Sequence, residues 1–241
     1  MKADLKGKIA LITGASRGIG KSISLALGKA GAIVILTARN KEKLNEVKKI
    51  IESNSGKALV LAADLSKEEE ILALFKKIKK EFNQLDILIN NAAVGVFKDL
   101  VDLSSEDFDY TFNVNVKSIF TICKQALNIM IPKKSGYIIN ISSIQGIKAY
   151  KQQSVYAASK HAVMGLTKGI AAEVQHYGIK VSAILPGGVN TEFIREARPN
   201  LDSSTLVKSE DIANTVLYLL SLSDKAMVDQ IVVRRYASTP F

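Results

Sequence analysis

The chain has 241 residues, 47% of them hydrophobic, with four prolines and a single cysteine. This composition allows a substantial buried core and excludes a disulfide-stapled or intrinsically disordered chain. The apolar runs are too short to span a bilayer and no apolar signal core follows Met1, so we expect a cytoplasmic protein with no membrane partner.

The basic side chains outnumber the acidic ones by 33 to 23, which gives a net charge of +10. The densest basic group, Lys76–Lys80, lies on a predicted amphipathic helix, and glutamates flank it. This pattern is typical of a solvated helix face, so we expect no nucleic-acid partner. A basic surface can still favour small anionic molecules or acidic partners.

Apolar, β-branched runs alternate with helical patterns along nearly the whole chain. Strands are predicted at Ile9–Thr13, Ile33–Thr37, Ala58–Ala62, Ile87–Asn90, Tyr137–Ile141, Val181–Leu185 and Ile231–Val233. Helices are predicted at Gly18–Ala30, Lys41–Ile51, Lys67–Phe82, Glu106–Ile131, Val155–Tyr177 and Ser209–Leu220. Strands that are apolar on both faces and followed by helices predict one α/β domain over residues 1–241, a doubly wound parallel sheet of about seven strands. The long segment 186–208 breaks this rhythm and is predicted to be a substrate lid.

A glycine-rich turn, Thr13–Gly20, joins the first predicted strand to the first predicted helix. Glycine lets the backbone approach a ligand closely, and the N–H groups of the first helical turn attract a phosphate. The spacing of Gly14, Gly18 and Gly20 differs from the common G-x-G-x-x-G order. By itself this turn leaves a nucleotide site and an ordinary small-residue turn open as alternatives.

Ligands of doubly wound sheets bind at the carboxyl ends of the strands, where this chain carries polar segments. These segments are Ala38–Asn40, Asp64-Leu65, Asn90–Ala93, Ser142-Ser143 and Pro186–Thr191.

Tyr156 is the only one of the seven tyrosines with a lysine four residues later, so Tyr156 and Lys160 share one face of a predicted helix. A nearby ammonium lowers the pKa of a phenol, and we therefore expect Lys160 to bring Tyr156 into the range of acid–base catalysis. Ser143 ends a predicted strand and can donate a hydrogen bond to a carbonyl oxygen on which charge develops.

Together these segments resemble the short-chain dehydrogenase/reductase family in order and spacing, from about Lys8 to Thr191. The matching motifs are Thr13–Gly20, Asp64, Asn90–Ala92, Asn115 within Asn113–Val116, Ser143, Tyr156–Lys160 and Pro186–Thr191. The resemblance implies a single Rossmann domain in which Tyr156 is the general acid/base and Lys160 also holds the nicotinamide ribose. It further implies that Ser143 polarises the substrate carbonyl, and that Asn115 kinks its helix and holds a proton-relay water.

NADPH is the predicted cofactor, because NAD enzymes usually carry an acidic residue after the second strand and Thr37–Asn40 has none. Arg17 and Arg39 are predicted to clasp the 2′-phosphate instead. The other predicted cofactor residues are Gly14, Ser16, Gly18, Ile19 and Gly20 in the turn, Asp64, Leu65, Asn91 and Ala92 around the adenine, and Tyr156, Lys160, Val189 and Thr191 near the nicotinamide.

Mostly apolar residues are predicted to line the substrate site, which favours a medium-sized ketone or aldehyde. They are Val94, Val96, Phe97, Ile144, Ile147, Tyr150, Phe193 and Ile194, with Glu192, Arg195, Glu196 and Arg198 nearby. The ending Val228–Phe241 lacks the glycine-rich acidic tail usual in the family's 3-oxoacyl-carrier-protein reductases. An NADPH-dependent carbonyl reductase is therefore favoured over such a reductase of fatty-acid synthesis. A non-catalytic NADPH sensor is the third hypothesis, and the intact catalytic set disfavours it.

The remaining polar candidates favour structural roles. Cys123 lies in an apolar helical pattern and is predicted to be a core residue. His161 and His176 have no carboxylate at triad-like spacing, and we find no cluster with metal-ligand spacing. The resemblance implies a homodimer or homotetramer formed through the helices Glu106–Ile131 and Val155–Tyr177.

Overall fold

Seven parallel strands form one sheet in the computed structural model, which describes residues 3–197 and 201–239. They are β1 (Ile9–Thr13), β2 (Ile33–Thr37), β3 (Lys57–Val60), β4 (Ile87–Asn90), β5 (Gly136–Ile141), β6 (Ile179–Pro186) and β7 (Gln230–Val233), in the order β3-β2-β1-β4-β5-β6-β7. Because all neighbouring pairs are parallel, the carboxyl ends of the strands meet at one edge of the sheet. The register places Thr13 beside Thr37 and Asn90 beside Asn140 at that edge.

Helices cover both faces of this sheet. They are α1 (Gly18–Lys29), α2 (Lys41–Ser53), α3 (Glu68–Phe82), α4 (Ser105–Phe112), α5 (Ser118–Lys133), α6 (Ser154–Val174), α7 (Glu192–Ala197) and α8 (Ser209–Leu220). Ala10 and Ile12 of β1 pack in one core cluster with residues of α1, α2 and α8, whereas Ile9 and Leu11 pack in a second one with α3, α5 and α6. β1 is therefore buried on both faces, and the predicted doubly wound parallel sheet is confirmed.

The basic segment of α3 has the predicted solvated face. Ile71, Leu74 and Ile78 are buried, while Lys76 and Lys77 are exposed on the other side of the helix. No helix of the described residues is long and apolar enough to cross a membrane.

The helix predicted over Glu106–Ile131 is instead interrupted. A wider π-helical turn, Asn113–Lys117, separates α4 from α5. Asn115 lies in this turn, and its side chain bonds both backbone groups of Val94 at 2.8 Å. A helix widens locally where a side chain serves another segment, and such turns are common at functional sites.

The segment 186–208 is less irregular than the sequence predicts. It contains α7, a short 3₁₀ turn at Ser203–Thr205 and a parallel bridge between Val189 and Val207. Arg198, which belongs to the predicted lid, lies outside the described residues.

Candidate active site

The glycine turn between β1 and α1 is held by close backbone packing. Gly14 and Gly18 have φ values of +65° and +52°, which favour glycine. A Cβ at Gly20 would lie only 2.2 Å from the carbonyl oxygen of Gly14, so a side chain there is excluded. Asn91 supports the turn by donating from Nδ2 to the carbonyl oxygens of Thr13 at 3.0 Å and Gly14 at 3.3 Å.

A cavity of about 430 Å³ runs along the carboxyl edge of the sheet, and its volume is in the range of small-molecule sites. It brings together most of the predicted residues: Gly14, Ser16, Arg17, Gly18, Ile19, Arg39, Asp64, Leu65, Asn91, Ala92, Ser143, Tyr156, Lys160, Val189 and Thr191. Gly20 and Asn115 support this cavity from outside its lining. The turn beside the cavity is so tight that side chains at its glycines would collide with neighbouring atoms. A tight glycine turn before a helix fits the phosphates of a dinucleotide.

Arg39 and Asp64 stand at the β2–β3 end of this cavity. Arg39 is exposed, whereas the neighbouring Asn40 caps α2 by accepting a hydrogen bond from the Lys43 backbone at 2.8 Å. Burial raises the pKa of Asp64, but hydrogen bonds from Ser66 and the charge of Arg39 outweigh it and hold that pKa below its ordinary value. Asp64 is therefore an ionised acceptor beside a cation.

Arg17 is engaged by the lid helix α7. Its Nη1 donates to Glu192 and lies 3.5 Å from Glu196. The bond to Glu192 raises the pKa of Arg17 and lowers that of Glu192. Arg17 therefore does not stand free beside Arg39, as the predicted clamp requires. These carboxylates come from a segment 175 or more residues away, so spacing within the motif does not indicate them.

Tyr156, Lys160 and Ser143 form a buried group at the carboxyl end of β5. Tyr156 and Lys160 lie one turn apart on α6 and are 6% and 2% exposed. The Ser143 hydroxyl is hydrogen-bonded to the Tyr156 phenol. Ser142 is turned away, since its hydroxyl donates to the Lys160 carbonyl oxygen at 3.2 Å. The structure thus brings Ser143, and not its neighbour, to the tyrosine.

The expectation that the pKa of Tyr156 lies below its ordinary value is wrong for this structure. Burial raises the pKa of Tyr156 above its ordinary value, and the Ser143 hydrogen bond offsets only part of this effect. Lys160 Nζ lies 5.7 Å from the Tyr156 ring centroid and donates to the Ile141 carbonyl oxygen at 3.1 Å. Burial also lowers the pKa of Lys160 to about 8. At neutral pH the phenol therefore retains its proton.

Asn115 connects three segments around this group. Besides its two bonds to Val94, its Nδ2 donates to Ser159 Oγ at 3.0 Å. The Ser159 hydroxyl donates in turn to the Tyr156 carbonyl oxygen at 2.7 Å. Asn115 therefore fixes the catalytic turn of α6 to the loop after β4. The proton-relay water stays a prediction.

The lid helix α7 covers the tyrosine with an aromatic cluster. Phe193 of α7, Phe97 and Tyr156 have ring centroids 5.6 to 5.9 Å apart. Six of the predicted substrate-site residues line the cavity: Val94, Phe97, Ile144, Tyr150, Phe193 and Ile194. Val96 and Ile147 do not line it, and Ile147 is 41% exposed.

Several residues of the cavity are not predicted from the sequence. Gln145 donates to Gln153 beside the tyrosine, and its buried Oε1 has no partner among the described residues. Gln145 lies two residues after Ser143 and Gln153 lies three residues before Tyr156, and this closeness in sequence could have indicated both glutamines. Arg235 follows β7 at the same sheet edge and lines the cavity. Because ligands bind at the carboxyl ends of the strands, the residues after the last predicted strand could have indicated it.

The other polar candidates lie outside the cavity. Cys123 is buried, and burial raises its pKa to about 12, so its predicted core role is confirmed. His161 and His176 are exposed and do not line the cavity. Across residues 3–197 and 201–239, no three His, Cys, Asp or Glu side chains form a group that could hold a metal ion.

A parallel sheet with a glycine turn after β1 and a buried Ser–Tyr–Lys group at its carboxyl edge defines the class of dinucleotide-dependent oxidoreductases. The family model of the short chain dehydrogenases matches residues 8–202. The chain therefore belongs to the short-chain dehydrogenase/reductase family.

Individual relatives agree with this assignment. An uncharacterized oxidoreductase of Staphylococcus aureus strain MRSA252 is 37% identical over 95% of this chain and 98% of its own length. A metagenomic short-chain oxidoreductase in complex with NADP is 33% identical with a TM-score of 0.87, covering 98% of this chain and all of its own. An alcohol dehydrogenase from the archaeon Thermococcus sibiricus, complexed with 5-hydroxy-NADP, is 27% identical with a TM-score of 0.90, covering 97% and 99% of the two chains.

Proposed function

We propose that this protein reduces a ketone or aldehyde to the alcohol with NADPH. The observation that carries this proposal is the shared cavity, in which Tyr156 and Ser143 lie on the same sheet edge as the glycine turn. A protonated phenol hydrogen-bonded to a hydroxyl suits proton delivery to an oxygen that gains negative charge.

The residues divide the reaction as follows. The nicotinamide, when bound, supplies the hydride to the carbonyl carbon and is thereby oxidised to NADP⁺. Ser143 donates a hydrogen bond to the carbonyl oxygen, and the Tyr156 phenol gives its proton to that same oxygen, so the product is a neutral alcohol. Lys160, when protonated, stabilises the phenolate left behind. Tyr156 then recovers a proton from solvent.

The choice of NADPH rests on the segment after β2. Arg39 lines the cavity and no acid stands there, so a 2′-phosphate meets a cation and not a carboxylate. Two structural relatives carry NADP or a derivative of it. Asp64 would accept a hydrogen bond from the adenine amine, and Val189 and Thr191 would hold the nicotinamide carboxamide. Fluorescence titration that gives equal or tighter binding of NADH would contradict the choice.

The Tyr156→Phe variant tests the reductase activity. Removing the general acid lowers kcat by a factor of about 100 or more, since positioned acids contribute about 10² to 10⁴. NADPH binding persists, because the substitution removes only a hydroxyl. Tyr218→Phe on α8 serves as the control, since this tyrosine is half-exposed and does not line the cavity. Wild-type turnover by Tyr156→Phe would refute the mechanism.

A substrate screen separates this reductase from its alternative. NADPH oxidation is measured with aldehydes, diketones and acetoacetyl thioesters. Reduction of the thioesters alone would favour a 3-oxoacyl-carrier-protein reductase, and NADPH binding without any turnover would favour a sensor.

We also propose that the protein is a cytoplasmic homodimer or homotetramer that associates through α4, α5 and α6. Phe108, Tyr110 and Phe120 are 44%, 41% and 52% exposed on this face. Exposed aromatic side chains are typical of interface cores.

A further inference from the structure

Two adjacent arginines follow β7, and the first of them shapes the chain. Nη1 of Arg234 donates to the carbonyl oxygens of Arg235 at 3.1 Å, Tyr236 at 3.4 Å and Ser238 at 2.5 Å. Ser238 donates two hydrogen bonds to the Arg235 carbonyl oxygen, one from its hydroxyl at 2.8 Å and one from its backbone N–H at 3.1 Å. Arg234 therefore closes a compact turn around the backbone of Arg235.

Arg235 itself extends along the wall of the central cavity. Its side chain is half-buried and packs over Gly188, where a Cβ would lie 3.1 Å from Arg235 Cδ. Nη1 donates to Thr205 Oγ1 at 3.2 Å, which fixes one edge of the guanidinium. Arg235 and Ser238 line the same cavity as Tyr156. The side chain is thus held in place at the substrate end.

The charge of Arg235 is not balanced by a neighbouring acid. Among the residues that the structure describes, no aspartate or glutamate oxygen lies within 4.0 Å of this guanidinium, whereas Arg17 has two such partners. A partly buried guanidinium without an ionic partner keeps charged N–H donors available for an anionic ligand. The planar guanidinium fork matches a carboxylate in shape and charge.

The sheet order separates Arg235 from the predicted phosphate sites. β7 stands four positions from β1, or roughly 19 Å at the usual strand spacing, and one position further from β2. It stands only two positions from β5, which leads to Ser143, a distance of about 10 Å that an arginine side chain and a short substrate span together. The strand order therefore places Arg235 on the Ser143 side of the cavity, where an anionic group of a bound substrate would meet it.

We propose that Arg235 binds a carboxylate of the carbonyl substrate, so that the protein acts on oxo acids in preference to neutral ketones. This inference rests on the proposed reductase function, which supplies the reacting carbonyl at Tyr156. The apolar walls, among them Ile194, then contact the carbon chain between the two polar ends.

Matched acids and esters test this proposal. Wild type, Arg235→Gln and Arg235→Lys are assayed with NADPH and 4-oxopentanoate, 5-oxohexanoate and 6-oxoheptanoate, each beside its methyl ester. We expect wild type to prefer at least one acid over its ester, mainly through a lower KM. In Arg235→Gln the KM for that acid rises about tenfold or more, as for other lost charge-assisted hydrogen bonds, while kcat changes little. Arg235→Lys keeps part of the preference, because it retains charge without the fork.

Two further measurements complete the design. Lys225→Gln removes an exposed charge that does not line the cavity, and it should leave the acid preference unchanged. Melting temperatures measured with NADP⁺ are compared with and without each acid. An acid that binds Arg235 should raise the melting temperature of wild type but not that of Arg235→Gln. Melts without any ligand check that each variant folds.

The outcomes separate this inference from the proposed function. Turnover of acids and esters with equal kcat/KM, or an unchanged preference in Arg235→Gln, overturns the carboxylate site and leaves carbonyl reduction intact. Stabilisation by acids that is lost in Arg235→Gln, without turnover of any carbonyl, supports the carboxylate site and refutes the reductase. The absence of both turnover and stabilisation overturns both.

Discussion

Lys160 is a buried amine whose ionisation lies close to physiological pH. No carboxylate among the described residues forms an ion pair with it, and its Nζ donates to the Ile141 carbonyl oxygen. Burial disfavours the ammonium and lowers its pKa to about 8. The raised pKa of Tyr156 keeps the phenol protonated over the same range. Lys160 is therefore the first of the two groups to lose its proton as the pH rises.

We predict that kcat/KM for carbonyl reduction falls as the pH rises through about 8, the pKa of Lys160. Above that pH the ammonium is lost, and the phenolate that forms at Tyr156 loses its stabilising charge. Below it, Lys160 is protonated and the rate is independent of this group. Initial rates measured between pH 6 and 10 under saturating NADPH test the prediction, with circular dichroism as a check on folding.

The Lys160→Met variant provides the comparison. It keeps much of the side-chain volume but lacks the ionising group. Its kcat/KM should therefore be low and should show no fall near pH 8. A fall of kcat/KM at the same pH in Lys160→Met would assign the ionisation to another group and contradict the prediction.

At this scale the sequence indicates the candidate catalytic side chains but not their ionisation. The spacing of Tyr156 and Lys160 places both on one helix face whatever the surrounding fold. The direction of the pKa shifts depends on burial, and Phe97 and Phe193 come from distant segments to bury the tyrosine. Local spacing contains no information about such packing.

Among the elements, α7 contacts both ends of the cavity. Glu192 and Glu196 hold Arg17 beside the glycine turn, while Phe193 covers Tyr156. A 2′-phosphate that binds Arg17 must therefore compete with two carboxylates. The position of α7 and cofactor binding are linked through this one guanidinium.

We predict that Glu192→Gln tightens NADPH binding. The variant frees Arg17 for the 2′-phosphate, and exposed ion pairs of this kind contribute about 0.2 to 1 kcal/mol, which corresponds to a Kd lower by up to about fivefold. NADH has no 2′-phosphate, so its Kd should not change. Fluorescence titration with both cofactors measures the two constants.

Glu173→Gln, an exposed substitution on α6 that does not line the cavity, should leave both constants unchanged. Weaker NADPH binding by Glu192→Gln, or equal changes for NADPH and NADH, would show that Arg17 does not meet the 2′-phosphate.

The regular elements could be predicted well because their signals are local. The bounds of β1, β2, β4 and α8 match the predicted ones, and those of the other strands differ by one to three residues. The edge strand β3 ends two residues early, since only β2 pairs with it. The family resemblance implies a kink at Asn115, but the sequence does not predict its π-helical form or the helix α7, because their contacts join residues far apart in sequence.

For the whole molecule, the strand order sets the direction of the cavity. The glycine turn and Arg39 follow β1 and β2, Ser143 follows β5, and Arg235 follows β7. The proposed cofactor and substrate sites therefore follow one another along a single sheet edge. The helices α5 and α6, which flank the catalytic group, also carry the surface proposed for association.

We predict that Phe120→Glu disrupts this association. Phe120 is 52% exposed on α5, and a charge in an apolar interface core remains without a partner. Light scattering after size exclusion should give wild type a mass of at least twice the 26.1 kDa chain, and the variant half the wild-type mass. Leu72→Glu changes a similarly exposed residue on α3, outside the proposed face, and should leave the mass unchanged. A monomeric wild type would exclude association. A Phe120→Glu protein of wild-type mass would place the association on another surface.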